Sequence, residues 1–185
     1  MRDLRGIVFL AIFGLLLTSS CPLLGQQPSA MPVDVKIIKY AELTEFVQDN
    51  KGKVILLDFW ATTCIPCKES FFHTVEMDKK YRDKGLVVIS VSTDAVDPGE
   101  EAKIKTRVLK FLQPQQATFT NVVLDESPDL MKQKLRLTSI PCLYVFNREG
   151  QWTQFIGDSM QPDANHRHPN VESYIKTLLD QPAKK

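Results

Sequence analysis

Residues 53–60 read KVILLDFW, a nearly continuous apolar run interrupted after its first lysine only by Asp58. A strand with one face in water alternates apolar and polar residues, whereas a strand covered on both faces is apolar almost throughout. This segment therefore predicts a central strand that is buried on both faces. Any fold of the chain has to be built around it.

The rest of the chain alternates between strand-like and helix-like patterns. Residues 147–150 separate two short apolar runs in the manner of a hairpin turn, and Ser127 with Pro128 forms a helix start. Strands alternating with helices, then a hairpin and a final helix, predict an α/β fold with a sheet covered on both faces. The predicted strands lie at 35–39, 53–60, 85–93, 121–125, 142–147 and 151–157, and the predicted helices at about 43–51, 64–83, 98–112, 127–135 and 171–179.

Length and charge limit the domain count and the partners. The chain has 185 residues, of which 43% are hydrophobic and 24% charged. This is enough for one sizeable hydrophobic core and too little for two of ordinary size. Its formal net charge of +1 supplies no basic field for nucleic acid or anionic lipid. We therefore expect one globular domain that binds no nucleic acid.

The N-terminus has the layout of an export signal. Arg2 and Arg5 precede an apolar stretch over 6–17, and small and polar residues follow it. About 12 apolar residues span too little of a hydrocarbon core of about 30 Å for a standard membrane helix, so an uncleaved anchor is the competing interpretation. We expect residues 1–25 to be an export signal or an anchor, and residues 26–34 to be a linker.

Cys21 follows this apolar stretch, where bacterial lipoprotein precursors carry the cysteine that is lipidated. The residues before it match that motif only loosely, because Thr18 stands where leucine is usual. Cys21 is therefore a candidate lipidation site, or else it is removed with the signal by a cut near Gly25. Either outcome places the protein in the periplasm or cell envelope, where a cysteine pair is oxidised unless something reduces it.

Cys64 and Cys67 are separated only by Ile65 and Pro66 and follow the buried strand closely. Residues three apart at a helix start place their Cβ atoms about 5–6 Å apart, close to disulfide range. Cys64 would meet unpaired N–H groups and the positive end of the helix dipole, which lower the pKa of a thiol. Cys67, one turn further in, would be shielded. We therefore predict a redox-active disulfide with an attacking Cys64 and a resolving Cys67.

Asp58 is the one acidic residue in the buried strand. A carboxylate there is costly unless it is solvated, paired or protonated. One interpretation is an acid/base group with a raised pKa that takes the proton of Cys67, through a water. The other is a strand-end aspartate that faces solvent or caps a turn.

Two further interpretations of the cysteine pair remain. A zinc site needs four ligands, usually from a second cysteine pair or closely spaced histidines, and Cys142, His73, His166 and His168 form no such pattern. A purely structural disulfide that closes so short a loop would add little stability through loop entropy. We expect no metal site, a solvated loop for His166 and His168, and a helix-surface position for His73.

The stretch DFWATTCIPCKE, residues 58–69, resembles the active site of the thioredoxin superfamily, whose common form is Asp-Phe-Trp-Ala followed by Trp-Cys-Gly-Pro-Cys-Lys. Ile140-Pro141 matches the second hallmark, an Ile-Pro or Val-Pro dipeptide with cis proline before a strand and hairpin. The resemblance covers about 35–181 and leaves 182–185 as a tail. With the export signal and an extra helix and strand, it is similar to the TlpA/ResA-like branch of exported thiol-disulfide oxidoreductases. It implies a three-layer sandwich with a mixed central sheet, helices on both faces and a helix-strand insertion.

Position by position, the resemblance implies that Cys64 is the nucleophile, Cys67 the resolving thiol and Asp58 the buried acid. It implies substrate contacts at five positions, of which Trp60 would also pack beneath the site and Pro141 would lie against the disulfide. The backbone of Ile140 would pair with an extended substrate segment. The substrate-contacting positions are Trp60, Ile65, Pro66, Ile140 and Pro141.

Three positions depart from the family pattern. Thr63 replaces the usual Trp before the first cysteine, which widens access to Cys64. Ser70 stands where the TlpA/ResA-like branch often has an acidic residue, and the nearby Glu69 is not assigned that role. Cys142 stands where Thr is common; it is either a third redox-active thiol or, as is commoner, a small core residue.

The leading functional interpretation is an exported oxidoreductase that reduces disulfides in envelope proteins. Ile65 adds no positive charge beside Cys64, unlike the His of strongly oxidising sites, which favours a reductant. The implied partners are proteins with disulfides or thiols, together with an upstream electron donor in the membrane, and no cofactor is implied. The alternative is a copper metallochaperone, although such relatives usually have three residues between the cysteines and a distal His. A peroxidase loop is not evident.

Overall fold

The computed structural model describes residues 32–157 and 170–182. Within these ranges the chain forms six strands and five α-helices. The strands are β1 Lys36–Ile38, β2 Val54–Trp60, β3 Leu86–Ser92, β4 Thr120–Leu124, β5 Cys142–Phe146 and β6 Trp152–Ile156. The helices are α1 Tyr40–Asp49, α2 Ile65–Tyr81, α3 Glu101–Gln115, α4 Pro128–Leu135 and α5 Val171–Asp180.

The strands form one mixed sheet in the order β1-β4-β3-β2-β5-β6. The first four strands in this order run parallel, and β5 and β6 run antiparallel to their neighbours. All seven residues of β2 are buried, as expected of a strand with neighbours on both sides and helices on both faces. The mixed sheet predicted from the sequence is confirmed.

The two faces of β2 meet different helices. Leu57 and Phe59 join a core with α1 and α4, which also contains Tyr144 of β5. Leu56 packs with α2 and α5, and Trp60 packs with α2 and α3. Because successive side chains of a strand point to opposite faces, Asp58 faces the α2 side together with Leu56 and Trp60.

The helix-strand insertion consists of α3 and β4, and β4 lies between β3 and β1 in the sheet. The insertion begins three residues later than predicted, at Glu101 instead of Pro98. Gly99 has a φ of +82°, a left-handed conformation that a right-handed helix cannot contain. The helix also continues past Leu112, with Pro114 in its last turn.

Helix α2 ends at Tyr81, two residues earlier than predicted, and a 3₁₀ turn over Arg82–Lys84 follows it. Gly85 then closes the turn with a φ of +95°. At the other end, Ser127 and Asn170 cap α4 and α5 through side-chain hydrogen bonds to backbone N–H groups, and the first of these was predicted. None of the helices in 32–157 and 170–182 is long and apolar enough to cross a membrane.

Candidate active site

The site lies at the edge of the sheet where the parallel strands β2 and β3 end. The loop after β2 leads directly into Cys64 and α2, and β5 begins at the same edge because Cys142 pairs with Phe59. Pro141 therefore comes one position beyond this pair, level with Trp60. The carboxyl ends of parallel strands are the usual location of reaction sites in open α/β sheets.

Cys64 and Cys67 form a disulfide, with their Sγ atoms 2.06 Å apart and their Cα atoms 5.3 Å apart. Cys64 is the N-cap of α2, and its Sγ accepts a hydrogen bond of 3.2 Å from the backbone N–H of Cys67. Cys64 is half-buried, whereas Cys67 is 2% exposed. The sulfur of Cys64 is therefore the one that an external molecule can reach.

Ile65 and Pro66 occupy the first turn of α2 between the cysteines, and both are exposed. Ile65 is 64% exposed, unusually high for a large aliphatic side chain. Proline fits the first turn because its missing N–H would have no helical partner there. The surface around Cys64 is consequently apolar and open to contact.

Asp58 is buried, with 4% of its surface exposed. Its Oδ2 accepts a hydrogen bond of 2.7 Å from the hydroxyl of Thr74, which is also buried. Burial raises the pKa of Asp58 from 3.8 to about 7, and the Thr74 hydrogen bond opposes part of that rise. A solvent-facing or turn-capping Asp58, the alternative left open by the sequence, is therefore wrong.

Trp60 is completely buried, so the substrate contact predicted for it is wrong. Its ring packs against Phe71 and Phe111, at centroid distances of 5.3 Å and 4.7 Å. Its Nε1 donates a hydrogen bond of 3.1 Å to the Ser90 Oγ. Trp60 lies in the same core cluster as Cys67 and supports the site from within.

The Ile140-Pro141 peptide bond is cis, as the resemblance implied. Both residues are half-buried. Ile140 packs against the cluster that contains Cys67 and also against the cluster on the other face of the sheet. The dipeptide thus lies at the sheet edge, where both faces meet.

Cys142 is completely buried and lies on the α1/α4 face of the sheet with Phe59, opposite the face that carries Cys67. Its Sγ accepts a hydrogen bond of 3.3 Å from the side-chain amide of Gln154. Burial raises the pKa of this thiol, which keeps it protonated. The structure favours the core interpretation of Cys142 over a third redox-active thiol.

Sequence reasoning missed a polar network beneath the Cys64 loop. The buried carboxylate of Asp94 accepts hydrogen bonds from the backbone N–H and the hydroxyl of Thr62, at 2.9 Å and 2.6 Å. It accepts a third, of 2.6 Å, from the hydroxyl of Ser92. Asp94 follows β3 at the same sheet edge as the cysteines, and this position was the available signal.

Two of the three departures from the family pattern, at Thr63 and Ser70, lie around the first turns of α2. Thr63 and Glu69 are exposed. The hydroxyl of Ser70 donates to the backbone carbonyls of Pro66 at 3.0 Å and of Cys67 at 3.2 Å, so this position carries a helix-bound hydroxyl and not an acid.

The remaining candidate residues lie apart from the site or outside the described ranges. His73 is half-buried on α2, with its Nδ1 3.8 Å from Glu76. Cys21, His166 and His168 fall outside the residues that the structure describes. In the described part of the chain, no three His, Cys, Asp or Glu side chains are grouped as a metal site would require.

Comparison with known proteins agrees with this geometry. A family model for thioredoxin-like proteins matches residues 52–152. The thiol-disulfide oxidoreductase ResA of Bacillus thuringiensis (strain Al Hakam) is 34% identical over 133 residues, which cover 71% of this chain and 67% of that protein. ResA of Bacillus subtilis (strain 168) is 27% identical over 125 residues, which cover 68% of this chain and 64% of that protein. The matches therefore span about two thirds of the length of these relatives.

A solved structure shares the architecture. A Chlorobium tepidum protein assigned as the thiol:disulfide interchange protein DsbE aligns with a TM-score of 0.54 and 28% identity. The alignment covers 72% of this chain and 84% of that one. Since the family model spans more than half of the residues and a ResA relative is 34% identical, the chain belongs to the thioredoxin-like family of thiol-disulfide oxidoreductases.

Proposed function

We propose that this protein is an exported reductant that reduces disulfides in other envelope proteins through Cys64 and Cys67. The observation that carries the proposal is the asymmetry of the pair: Cys64 is accessible at the helix N-terminus, and Cys67 is buried one turn further in. The helix N-terminus stabilises a thiolate on Cys64. A substrate disulfide can therefore be attacked by Cys64 and not by Cys67.

The reaction begins with the reduced protein. The Cys64 thiolate attacks one sulfur of the substrate disulfide, the substrate S–S bond breaks, and one substrate thiolate leaves. Cys67 then loses its proton to Asp58 and attacks the Cys64 sulfur, which breaks the mixed disulfide and releases the second substrate thiolate. The substrate gains two electrons, and this protein is left with the Cys64–Cys67 disulfide.

Asp58 suits the role of base in the second half of the reaction. With a pKa of about 7, a large fraction of its carboxyl groups is ionised near neutral pH and able to accept a proton. It faces α2, the helix that carries Cys67, and its hydrogen bond to Thr74 joins the strand to that helix. A carboxyl with an ordinary pKa would be a weaker base for a thiol proton.

The substrate contacts are proposed at four positions around Cys64. Ile65 and Pro66 offer exposed apolar surface beside the reactive sulfur. Pro141 and the backbone of Ile140 flank the pair from the edge of β5, where an extended substrate segment can add main-chain hydrogen bonds. This arrangement suits an extended peptide segment with apolar residues next to its cysteine.

The direction and the location rest on the sequence around and before the site. Ile65 adds no positive charge that would stabilise the reduced form, so the disulfide is not strongly oxidising. The N-terminal layout of two arginines and an apolar stretch supports export, with Cys21 as a lipidation site if the signal is cut directly before it. A donor in the membrane would then return two electrons to the pair.

Disulfide reduction with insulin as substrate tests the proposal, together with the redox potential of the pair in glutathione buffers. We expect a reducing potential, closer to about −270 mV than to about −120 mV, and turnover that requires Cys64. The control variant is Cys142→Ser, which removes a buried thiol on the other face of the sheet. Undiminished insulin reduction by Cys64→Ser would overturn the proposed nucleophile, and a potential near −120 mV would overturn the direction.

A further inference from the structure

The hydroxyl of Thr74 makes an unusual hydrogen bond for a threonine inside a helix. Helical Ser and Thr commonly donate to the carbonyl four residues before them. Thr44, Ser70, Thr106 and Thr177 all do so here, at distances of 2.8 Å to 3.0 Å. Thr74 instead donates across to the carboxylate of Asp58 on β2, at 2.7 Å.

This is the one hydrogen bond that the Asp58 carboxylate accepts within the described residues. An ionised carboxylate has about four acceptor sites, and a buried one with a single donor is poorly stabilised. The ionised form of Asp58 therefore depends on Thr74 more than it would in a site with several donors.

The position of Thr74 on α2 and its restricted side chain suit a residue that orients the Asp58 carboxylate toward Cys67. It lies seven residues after Cys67 on α2, about two turns along the same face. Its β-branched side chain has few allowed rotamers, and it is buried, with 2% of its surface exposed. The helix that carries the resolving cysteine thus also fixes the carboxylate.

We propose that Thr74 is a positioning residue whose hydroxyl holds the Asp58 carboxylate ionised and aimed to take the proton of Cys67. The proposal rests on the proposed function in one respect, the role of Asp58 as the base. Thr74 touches neither the substrate nor the reacting sulfurs in this scheme, and it acts through Asp58 alone.

The surroundings of Asp58 leave little else to set its charge. The residues opposite Asp58 on the neighbouring strands, Ser90 and Leu143, are uncharged. Asp78, one turn after Thr74 on α2, forms a salt bridge with Arg82. Asp58 contributes to the raised pKa of the Cys142 thiol on the far face of the sheet, so that thiol is the titratable group coupled to it. These groups are Ser90 of β3, Leu143 of β5, Asp78 paired with Arg82, and Cys142.

The test compares Thr74→Val with Thr74→Ser in the full-length oxidised protein. Valine keeps the shape and removes the donor, whereas serine keeps the donor. A hydrogen bond to a charged group is typically strong enough to move a carboxyl titration by about one to two pH units. We therefore expect the Asp58 carboxyl, observed by carbon-13 NMR of labelled aspartate, to titrate higher by that amount in Thr74→Val and nearly unchanged in Thr74→Ser.

The second readout is the rate at which Cys67 resolves a preformed mixed disulfide on Cys64, measured from pH 5 to pH 9. We expect about a tenfold loss near pH 7 in Thr74→Val, recovered as the pH rises, with normal behaviour in Thr74→Ser. If Thr74→Val does not fold, Thr74→Ala serves in its place, and near-ultraviolet circular dichroism checks each fold. An unchanged carboxyl titration, or a shifted titration with an unchanged resolution rate, would overturn the inference.

Asp58→Asn separates the two proposals. If that variant resolves the mixed disulfide as fast as the parent protein, Asp58 is not the base and the proposed function fails at that step. The carboxyl titration in the Thr74 variants still measures whether Thr74 stabilises the ionised Asp58. If Asp58→Asn is slow and Thr74→Val is not, the base stands and the role of Thr74 is wrong.

Discussion

The backbone N–H of Cys67 donates a hydrogen bond to the Sγ of Cys64 across the first turn of α2, at 3.2 Å. The N-cap position of Cys64 thus brings its sulfur to the end of the helix where N–H groups lack partners. A thiolate formed there meets a donor already aimed at it. The reactivity of the pair and its potential therefore depend on the charge near Cys64.

A positive charge at position 65 should make the protein more oxidising. Ile65→Lys adds an ammonium beside Cys64, stabilises the thiolate and hence the reduced form, and should raise the redox potential by about 15 to 30 mV. Equilibration with glutathione buffers measures this shift. Phe72→Lys is the control, because it adds the same charge to an exposed position about 10 Å further along α2, where salt screens it. Equal shifts in the two variants would contradict the local effect.

Asp58 should make the stability of the oxidised protein fall as the pH rises from 4 to 8. Its pKa is about 7 in the folded protein and 3.8 in the unfolded chain, so the unfolded state loses this proton first. The contribution of Asp58 to the free energy of unfolding is fully present below pH 4. It declines as the pH rises, until Asp58 also ionises in the folded protein near pH 7. At 1.36 kcal/mol for each of about 3 pH units, the total loss is at most about 4 kcal/mol.

The measurement is urea unfolding of Asp58→Asn and the parent protein at pH 4, 6 and 8. The asparagine cannot ionise, so we expect the variant to gain stability relative to the parent as the pH rises. Glu172 has the opposite pH dependence. Its hydrogen bond with Lys80 lowers its pKa, so its contribution to the free energy of unfolding is lost at low pH. A constant difference between the two proteins across this range would contradict the raised pKa of the buried Asp58.

The fold and the reactive pair follow from local patterns in the sequence. The apolar run of β2 predicts a strand buried on both faces, and the spacing of Cys64 and Cys67 predicts a disulfide at a helix start. Both signals depend on residues that are near each other in the chain. The cis peptide bond at Ile140-Pro141 came from the family resemblance instead, because most X-Pro bonds are trans.

What local patterns could not supply are the contacts between residues distant in the chain. Thr74 and Asp94 look like ordinary polar residues of a helix and a loop, and their partners Asp58 and Thr62 are 16 and 32 residues away. The substrate contact predicted for Trp60 was wrong for a related reason, because Phe71 and Phe111 from two different helices bury its ring. The start of α3 depended on the backbone conformation of one glycine.

The aromatic cluster under the cysteines should be a major source of stability. Phe71 is 1% exposed and packs against Trp60, Phe111 and Phe119, so Phe71→Ala should lower the free energy of unfolding by about 3 to 5 kcal/mol. Phe72→Ala, at the neighbouring position with 46% exposure, should cost about 1 kcal/mol or less. Urea unfolding of both variants makes the comparison. Similar losses at the two positions would contradict the assignment of Phe71 to the core.

The Asp94 network should hold the loop that leads into Cys64. Asp94→Ala removes the acceptor of three hydrogen bonds and should lower the free energy of unfolding by about 1 to 3 kcal/mol. The backbone N–H of Thr62 should also exchange with solvent faster, which hydrogen exchange observed by NMR would detect. Asp97→Ala, an exposed position in the same loop, is the control and should change neither quantity. Unchanged exchange at Thr62 in Asp94→Ala would contradict the role given to this network.

Trapping of the mixed disulfide shows which of the two cysteines attacks the substrate and which resolves the adduct. Reduced Cys67→Ser is incubated with a small disulfide peptide, and intact-mass spectrometry follows the covalent adduct, with Cys64→Ser treated in the same way. We expect a stable adduct on Cys64 in Cys67→Ser and almost none in Cys64→Ser, because Cys67 is buried. An adduct that forms as readily in Cys64→Ser, or that fails to form in Cys67→Ser, would contradict it.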